Sequence, residues 1–312
     1  MNLATLLYFT WDPSKGIEIG TFTLHYYSLM FVLAFGIGYY LFVKMFKIDH
    51  ESEKSLDTIF TWTLIGTILG ARLGHVIFYQ PELFKQDFWS VFLPIQTVPE
   101  FKFTGFSGLA SHGAAIVLVI STIIIAIKVL KKNPLWLLDR LAITVALAGF
   151  FIRMGNFFNS EIVGTETTSS FGIKFLRDKY SANDAMQITQ IGDKNEAYNT
   201  IATNPQFAEY LAAVTPKHPA QLYEAICYVF VFAILMFLYW KTEARNKAGY
   251  LFGLFLILLW SIRFVVEFVK ESQGGFEQYP IFNALSTGQW LSIPFIFIGF
   301  YFVWKAKEVK ED

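Results

Sequence analysis

The sequence predicts an all-α polytopic membrane protein with seven transmembrane helices. Hydrophobic residues make up 54% of the 312 residues and charged residues only 16%, whereas soluble proteins carry roughly 25% charged residues. Seven apolar runs are close to the roughly 20 residues that a helix needs to cross a bilayer. Positive charges gather in alternate loops between these runs. Because 25 Lys and Arg balance 25 Asp and Glu without forming a basic tract, no nucleic-acid partner is expected.

The expected spans follow one another with a consistent charge pattern. They cover residues 24–46, 57–79, 112–130, 135–158, 221–240, 248–270 and 287–305. Lys and Arg concentrate after the first, third, fifth and seventh spans, at Lys44, Lys47, Lys54, Lys128, Lys131, Lys132, Lys241, Arg245, Lys247, Lys305, Lys307 and Lys310. By the positive-inside rule these segments face the cytoplasm. The charges therefore predict an N-out, C-in topology.

The chain is expected to form a single integral membrane domain, residues 1–312, with one insertion. Residues 165–216, between spans four and five, are polar and face outward in this topology. We expect a small lobe or lid there rather than a second domain with its own core. Residues 80–111 are aromatic and punctuated by Pro and Gly, which is typical of a segment lying along the membrane interface.

Each span brings polar side chains to its outward end. In chain order they are Tyr27; Arg72 and His75; His112; Arg153, Asn156, Asn159 and Glu161; His218, Gln221 and Glu224; Arg263 and Glu267; and Gln289. A lone arginine near a helix end usually snorkels to the headgroups, and Asn or Gln in a span often bonds a neighbouring helix. Convergence of the whole set at one depth instead predicts a polar cavity open to the outer leaflet.

The charges of this cavity predict an anionic phospholipid as its ligand. Arginine offers fixed paired donors to phosphate and stays charged at every relevant pH. We expect Glu161 and Glu267 to hold the arginines while the site is empty, with Arg263 and Glu267 spaced as an i, i+4 pair. A histidine is the ordinary group for moving a proton near neutral pH. The sequence contains no HxxxH or paired-carboxylate ligand set, so neither a metal nor a cofactor is expected.

Seven blocks of this chain resemble, in the same order, the prolipoprotein diacylglyceryl transferase family. They are LHYYSLM (24–30), GARLGHVIFY (70–79), SHGA (111–114), RMGNFFNSEIVG (153–164), HPAQLYE (218–224), RFVVEF (263–268) and GQWLSIP (288–294). The likeness runs from about residue 19 to residue 300, with 165–216 foreign to it. Ser160 and Leu259 depart from the family pattern, where glycine and tyrosine are usual.

The resemblance implies an enzyme of the bacterial inner membrane with its active site towards the outer leaflet. It implies transfer of the diacylglyceryl group of phosphatidylglycerol to the lipobox cysteine in the signal peptide of a prolipoprotein, among membrane lipids. A thioether forms and glycerol phosphate leaves. Arg153 and Arg263 would bind the lipid phosphate, and His112 would activate the thiol, although the arginine field alone could also lower the thiol pKa. The resemblance also carries over Tyr27, Asn156, Glu161 and Gly164.

Two other readings remain open at this point. GFSG, residues 105–108, matches a short motif of intramembrane serine proteases, with Ser107 as the nucleophile, but a four-residue match is weak. A lipid or anion transporter would also use arginines in a membrane, yet it would need polar groups on both sides of the midplane. The inner halves of these spans are almost bare of them.

Overall fold

Long helices dominate the computed structural model, which describes residues 8–20, 22–93, 95–103, 108, 110–272 and 283–308. Seven of the described helices are long and apolar enough to cross a membrane: Tyr26–Ile48, Lys54–Tyr79, Gly113–Leu130, Pro134–Asn159, Ala220–Lys241, Tyr250–Val269 and Thr287–Lys305. These ranges match the expected spans to within a few residues. The prediction of an all-α polytopic protein is confirmed, and the N-out, C-in orientation stays a prediction.

The chain divides into two compact units, each described by itself. The larger unit comprises Met1–Gly38 and Leu141–Asp312, and the smaller unit comprises Tyr39–Arg140. The described helices are α1 Tyr26–Ile48, α2 Glu53–Tyr79, α3 Leu83–Gln86, α4 Phe88–Phe92, α5 Ser111–Ile125 with a π-helical turn Ala126–Leu130, α6 Pro134–Asn159, α7 Leu176–Lys179, α8 Ala182–Thr189, α9 Lys194–Thr203, α10 Ala208–Ala212, α11 Ala220–Lys241, α12 Tyr250–Val266 and α13 Thr287–Lys305.

Short strands form two-stranded pairs around these helices. They are β1 Phe9–Trp11, β2 Gly16–Ile19, β3 Phe22–His25, β4 Ile95–Gln96, β5 Lys102–Phe103, β6 Ile173–Phe175, β7 Lys247–Ala248 and β8 Lys307–Glu308. Strand β1 runs parallel to β6, whereas β2–β3, β4–β5 and β7–β8 are antiparallel. The β1–β6 pair ties the start of the chain to the insertion.

Glycines allow α2 and α5 to cross closely in the smaller unit. A Cβ on Gly113 would lie 2.6 Å from the Cα of Gly74 and would collide with the carbonyl of Gly70. Just before α5, the Ala110 amide donates to the Ala71 carbonyl at 2.9 Å. Because backbone meets backbone at this crossing, a side chain at any of the three glycines would force the helices apart. The crossing fixes the start of α5, where His112 lies.

The insertion has a hydrophobic core of its own, so the expectation of a lobe without one is wrong. Its buried residues are Leu176, Ala185, Ala197, Tyr198, Ile201 and Val214. All but Val214, which follows α10, come from short helices, none longer than the ten residues of α9. Such helices are typical of a small lobe packed on itself. Trp11 of β1 stacks on Phe157 of α6 at 4.2 Å between ring centres and donates its indole N–H to the Phe157 carbonyl. The lobe is thereby attached at the end of α6.

Candidate active site

Arg153, in the last two turns of α6, is the centre of the polar group in the larger unit. Its Nε forms an ion pair with the Glu224 carboxylate of α11, and the Arg153 and Glu224 side chains are only 12% and 1% exposed. Its Nη1 also donates to Asn156 Oδ1, one turn along the same helix, at 3.2 Å. A buried arginine is costly unless it is paired and hydrogen bonded. Arg153 also donates a hydrogen bond to the hydroxyl oxygen of Tyr228, one turn beyond Glu224.

Tyr27 lies beside Arg153, as predicted. A Cβ on Gly155 would lie 2.6 Å from Cδ2 of Tyr27, so the ring of Tyr27 rests directly on the α6 backbone. The Tyr27 hydroxyl is hydrogen bonded to Asn156 and feels the charge of Arg153. Tyr27 of the first expected span therefore contacts the fourth expected span next to Arg153. Gly155 makes this approach possible because any larger residue would displace the tyrosine.

The end of α6 turns sharply through Asn159, Ser160 and Glu161. Ser160 and Ile162 have left-handed backbone conformations, with φ of 55° and 58°. The Glu161 amide donates to the Asn156 carbonyl at 2.9 Å. Gln221 of α11, which is fully buried, donates from Nε2 to the Glu161 carbonyl at 2.5 Å. Asn159 Nδ2 donates to the Glu161 carboxylate at 3.1 Å.

Gly164 allows three chain segments to meet next to this turn. Its amide donates to the His218 carbonyl at 2.8 Å, and the following Thr165 amide donates to the Val269 carbonyl at 2.8 Å. A Cβ on Gly164 would collide with that Val269 carbonyl and would lie 2.6 Å from the Cβ of His218. His218 in turn contacts the Tyr223 hydroxyl through Nδ1 at 3.1 Å. The base of the lobe is built on this close approach.

Arg263, Glu267 and Lys270 lie at the end of α12. Glu267 is paired with Lys270 at 3.3 Å, and its carboxylate rests against Gly288 of α13, where a Cβ would lie 2.6 Å from either carboxylate oxygen. Arg263 lies with its guanidinium carbon 5.8 Å from the centre of the Trp260 ring. Burial lowers the pKa of Lys270, which also feels the charges of Glu267, Arg263, Glu224 and Arg153. These five groups therefore form one electrostatic cluster.

Comparison with known proteins identifies the family of the chain. The sequence model of the prolipoprotein diacylglyceryl transferase family matches residues 15–305. The chain belongs to this family. It is similar to the phosphatidylglycerol–prolipoprotein diacylglyceryl transferase of Bacteroides fragilis, at 34% identity over 98% of this chain and 99% of that protein. It is also similar to the enzymes of the same name from Tolumonas auensis, at 34% identity over 94% and 95% of the two chains, and Porphyromonas gingivalis, at 34% over 98% and 96%.

The chain is therefore a transferase of lipoprotein biosynthesis and a multi-pass membrane protein.

The ion-pair partners of the arginines differ from those expected from the sequence. Arg153 is held by Glu224, not by Glu161 or Glu267, because Glu224 lies on the facing helix α11. Glu267 pairs with Lys270, so the expected pair with Arg263 is also wrong. Lys270 was not predicted as a site residue, since it falls at the very edge of the sixth apolar run.

Arg72 and His112 belong to the smaller unit of this transferase. Arg72 of α2 is 9% exposed and donates to the Ser90 carbonyl at 2.6 Å and 3.2 Å, and to the Gly108 carbonyl at 3.4 Å. It therefore binds the segment between α2 and α5 in its own unit. His112 lies in the first turn of α5, and its side chain lies outside what the structure describes. Ser107, the nucleophile of the protease alternative, also lies outside the described residues.

Asp87 organises the same loop of the smaller unit. Its carboxylate accepts from the Ser90 hydroxyl at 2.6 Å, from the Thr97 amide and hydroxyl at 2.6 Å, and from the Val98 amide at 3.2 Å. Hydrogen bonds from Ser90 and Thr97 hold the pKa of Asp87 well below its ordinary value. The loop that Arg72 contacts is thus fixed by an ionised aspartate. Sequence reasoning missed this role because Asp87 lies outside every apolar run.

Proposed function

We propose that this chain transfers the diacylglyceryl group of phosphatidylglycerol to the lipobox cysteine thiol of a prolipoprotein. The reaction takes place at the outer leaflet of the bacterial inner membrane. The single observation that carries the proposal is the buried Arg153, held by Glu224 yet next to Asn156 and Tyr27 in a membrane-spanning helix. The names of the relatives, which specify phosphatidylglycerol and prolipoprotein, support these substrates.

The chemistry is a substitution at carbon. The sulfur of the substrate cysteine attacks the glyceryl carbon that carries the phosphate ester, the C–S bond forms, and the C–O bond breaks. The bonding pair leaves on the phosphate oxygen, so glycerol phosphate is released and the thiol proton is lost. No nucleophile from the enzyme is needed, because the substrate brings its own.

The arginines stabilise the leaving group in this proposal. Negative charge grows on the phosphate as the C–O bond breaks, and preorganised cations in a poorly hydrated site stabilise such charge strongly. Arg153 of α6 and Arg263 of α12 provide the two guanidinium groups, with Lys270 as a third cation nearby. Glu224 keeps Arg153 oriented before the lipid arrives. Tyr27, Asn156 and Glu161 shape the wall from which Arg153 projects.

Thiol activation is assigned to His112. A cysteine thiol has a pKa near 8.5, so only a few per cent is ionised at neutral pH. A base whose pKa lies near neutral pH can take the thiol proton during the attack, which raises the fraction of cysteine that reacts as thiolate. Arg72 supports this role from the same unit by holding the loop that precedes α5, through its bond to the Gly108 carbonyl.

The test uses purified protein in phosphatidylglycerol vesicles with a peptide that contains a lipobox cysteine. Mass spectrometry follows the peptide, and an enzymatic assay follows glycerol phosphate. We expect the peptide to gain the mass of a diacylglyceryl group, with release of an equimolar amount of glycerol phosphate. The rate of transfer should fall at least a hundredfold in Arg153→Lys, because the point charge of lysine cannot reproduce the paired donors of arginine. Arg245→Lys, outside the cluster, is the matched control, and Ser107→Ala should keep full activity. A cleaved peptide, or transfer that survives Arg153→Lys unchanged, would overturn the proposal.

A further inference from the structure

Three buried oxygen atoms at the turn after α6 have no donor among the described residues. They are Asn159 Oδ1, Ser160 Oγ and Gln221 Oε1. Ser160 is 5% exposed and Gln221 is fully buried. A buried acceptor left without a donor costs about 1–3 kcal/mol. A ligand that brings hydroxyl or amide hydrogens to this turn would remove that cost.

The orientation of the two amides is fixed by their other contacts. Gln221 Nε2 contacts the Glu161 carbonyl at 2.5 Å, and Asn159 Nδ2 contacts the Glu161 carboxylate at 3.1 Å. Both of these partners can only accept, so each amide must turn its nitrogen towards Glu161. The two carbonyl oxygens therefore face away from Glu161. Asn159 and Ser160 are consecutive at the turn, and the Gln221 amide contacts the Glu161 carbonyl next to them, so the three side chains gather around one turn.

We infer that these oxygens form a subsite for the terminal glycerol of the lipid headgroup, with Ser160 as a residue that sets headgroup specificity. The inference rests on the proposed function. A glycerol headgroup carries two neighbouring hydroxyls, each able to donate to one of the unpaired oxygens. Released glycerol phosphate carries the same hydroxyls, so the subsite recognises the glycerol phosphate moiety both before and after the carbon–oxygen bond breaks.

The position of the turn relative to Arg153 favours the headgroup over the polypeptide substrate. Asn159 follows Arg153 by six residues on α6, which is about 9 Å along a helix axis. Asn156, hydrogen bonded to Arg153, lies between them. In phosphatidylglycerol the phosphate lies deeper in the membrane than the terminal glycerol. In the expected topology the end of α6 points outward, so the order of Arg153 and the turn matches the order of phosphate and glycerol.

Ser160 allows a test that does not strain the fold. Its φ of 55° lies in the left-handed region, where glycine is more comfortable than any residue with a Cβ. Ser160→Gly therefore removes the hydroxyl while relaxing the backbone. Gln190→Gly is the matched control, because Gln190 is exposed at the end of α8 with a similar φ of 59°.

The experiment compares phosphatidylglycerol with phosphatidylpropanol, which keeps the phosphate and three-carbon headgroup but lacks both hydroxyls. We expect the unmodified enzyme to prefer phosphatidylglycerol in kcat/KM. Ser160→Gly should reduce that preference about three- to tenfold, the range for one or two hydrogen bonds, whereas Gln190→Gly should leave it unchanged. Equal use of both lipids by the unmodified enzyme, or an equal effect of Ser160→Gly on both, would overturn the inference. A change confined to the KM of the peptide would assign the oxygens to the polypeptide instead.

A binding measurement separates this inference from the proposed function. Glycerol 1-phosphate and propyl phosphate are titrated into the full-length protein by calorimetry. The subsite predicts tighter binding of glycerol 1-phosphate, with the difference reduced in Ser160→Gly. This result would stand even if no peptide were modified by any variant, in which case only the proposed function fails. Equal binding of the two phosphates would contradict the subsite while leaving transferase activity untouched.

Discussion

Arg153 of α6 and Glu224 of α11 form an ion pair inside the larger unit, with the glutamate almost completely buried. The pair joins two helices that the sequence places in separate spans. Arg153 Nη1 also donates to Asn156 Oδ1, and the guanidinium is hydrogen bonded to Tyr228 as well. These contacts fix the orientation of the Arg153 guanidinium.

Removing the charge of Glu224 should therefore weaken catalysis. Glu224→Gln keeps the size of the side chain but loses the charge that orients Arg153, so kcat/KM for transfer should fall about tenfold or more. Glu224→Ala should also destabilise the protein by about 3–5 kcal/mol, since it leaves a buried cation unpaired. Kinetics and thermal unfolding in detergent check the two effects. Glu196→Gln, on the exposed face of α9, is the control, and activity unchanged in Glu224→Gln would contradict this role.

Gly164→Ala should disrupt the base of the lobe. The new methyl would collide with the Val269 carbonyl and press on His218, so the three segments would have to separate. We expect a loss of transfer of at least tenfold and faster hydrogen exchange at the Gly164 and Thr165 amides. Gly192→Ala is the matched control, because a Cβ there meets no atom within 4 Å. Equal behaviour of the two variants would show that the close approach is unimportant.

The stabilising effect of Asp87 should depend on pH. Its folded-state pKa is lowered by hydrogen bonds from Ser90 and Thr97. A lowered pKa means that the ionised form stabilises the loop above the unfolded-state value of about 3.9, and that this stabilisation disappears as the pH falls through the folded-state value. The difference in thermal midpoint between the unmodified protein and Asp87→Asn should thus be constant from pH 5 to 8 and shrink below about pH 4. A difference that grows towards acid pH would contradict this assignment.

His112→Gln should show a pH-dependent loss of activity. If His112 removes the thiol proton, the variant should lose about a hundredfold in kcat at pH 7. It should recover towards the unmodified rate as the pH passes about 8.5, where the thiol ionises unaided. Rates are measured from pH 6 to 9.5 with saturating lipid. No loss at any pH would favour thiol activation by the arginine field alone, and a loss that is the same at every pH would contradict a role for His112 as the base.

The spans and much of the polar cluster could be predicted from the sequence. Apolar runs predict helix positions well, and the i, i+3 spacing of Arg153 and Asn156 put both on one face of α6. Tyr27 was expected near them from its place at the outward end of the first span, and the resemblance also carries it over. The ion pairs could not be predicted, because spacing along one helix does not reveal which residue of a facing helix is closest. Glu224 illustrates this, since its partner lies 71 positions earlier, at Arg153.

The lobe and the turn after α6 show a second limit. The core around Leu176 and Ile201 is assembled from short helices, whose apolar residues are too few in each helix to produce a clear periodic pattern. Ser160 gives no local sign that its backbone is left-handed, because serine commonly adopts other conformations. Only the contacts of neighbouring elements impose that conformation. The unpaired oxygens at the turn follow from it and are invisible in the sequence.

The most direct test of the central claim is lipid binding by Arg153 itself. Delipidated protein is titrated with phosphatidylglycerol and observed by native mass spectrometry, alongside Arg153→Gln and the control Arg245→Gln. Peptide binding is measured in parallel. We predict that Arg153→Gln loses phosphatidylglycerol affinity by at least tenfold while its affinity for the peptide is unchanged. Undiminished phosphatidylglycerol binding in Arg153→Gln would contradict the claim that this arginine binds the lipid phosphate.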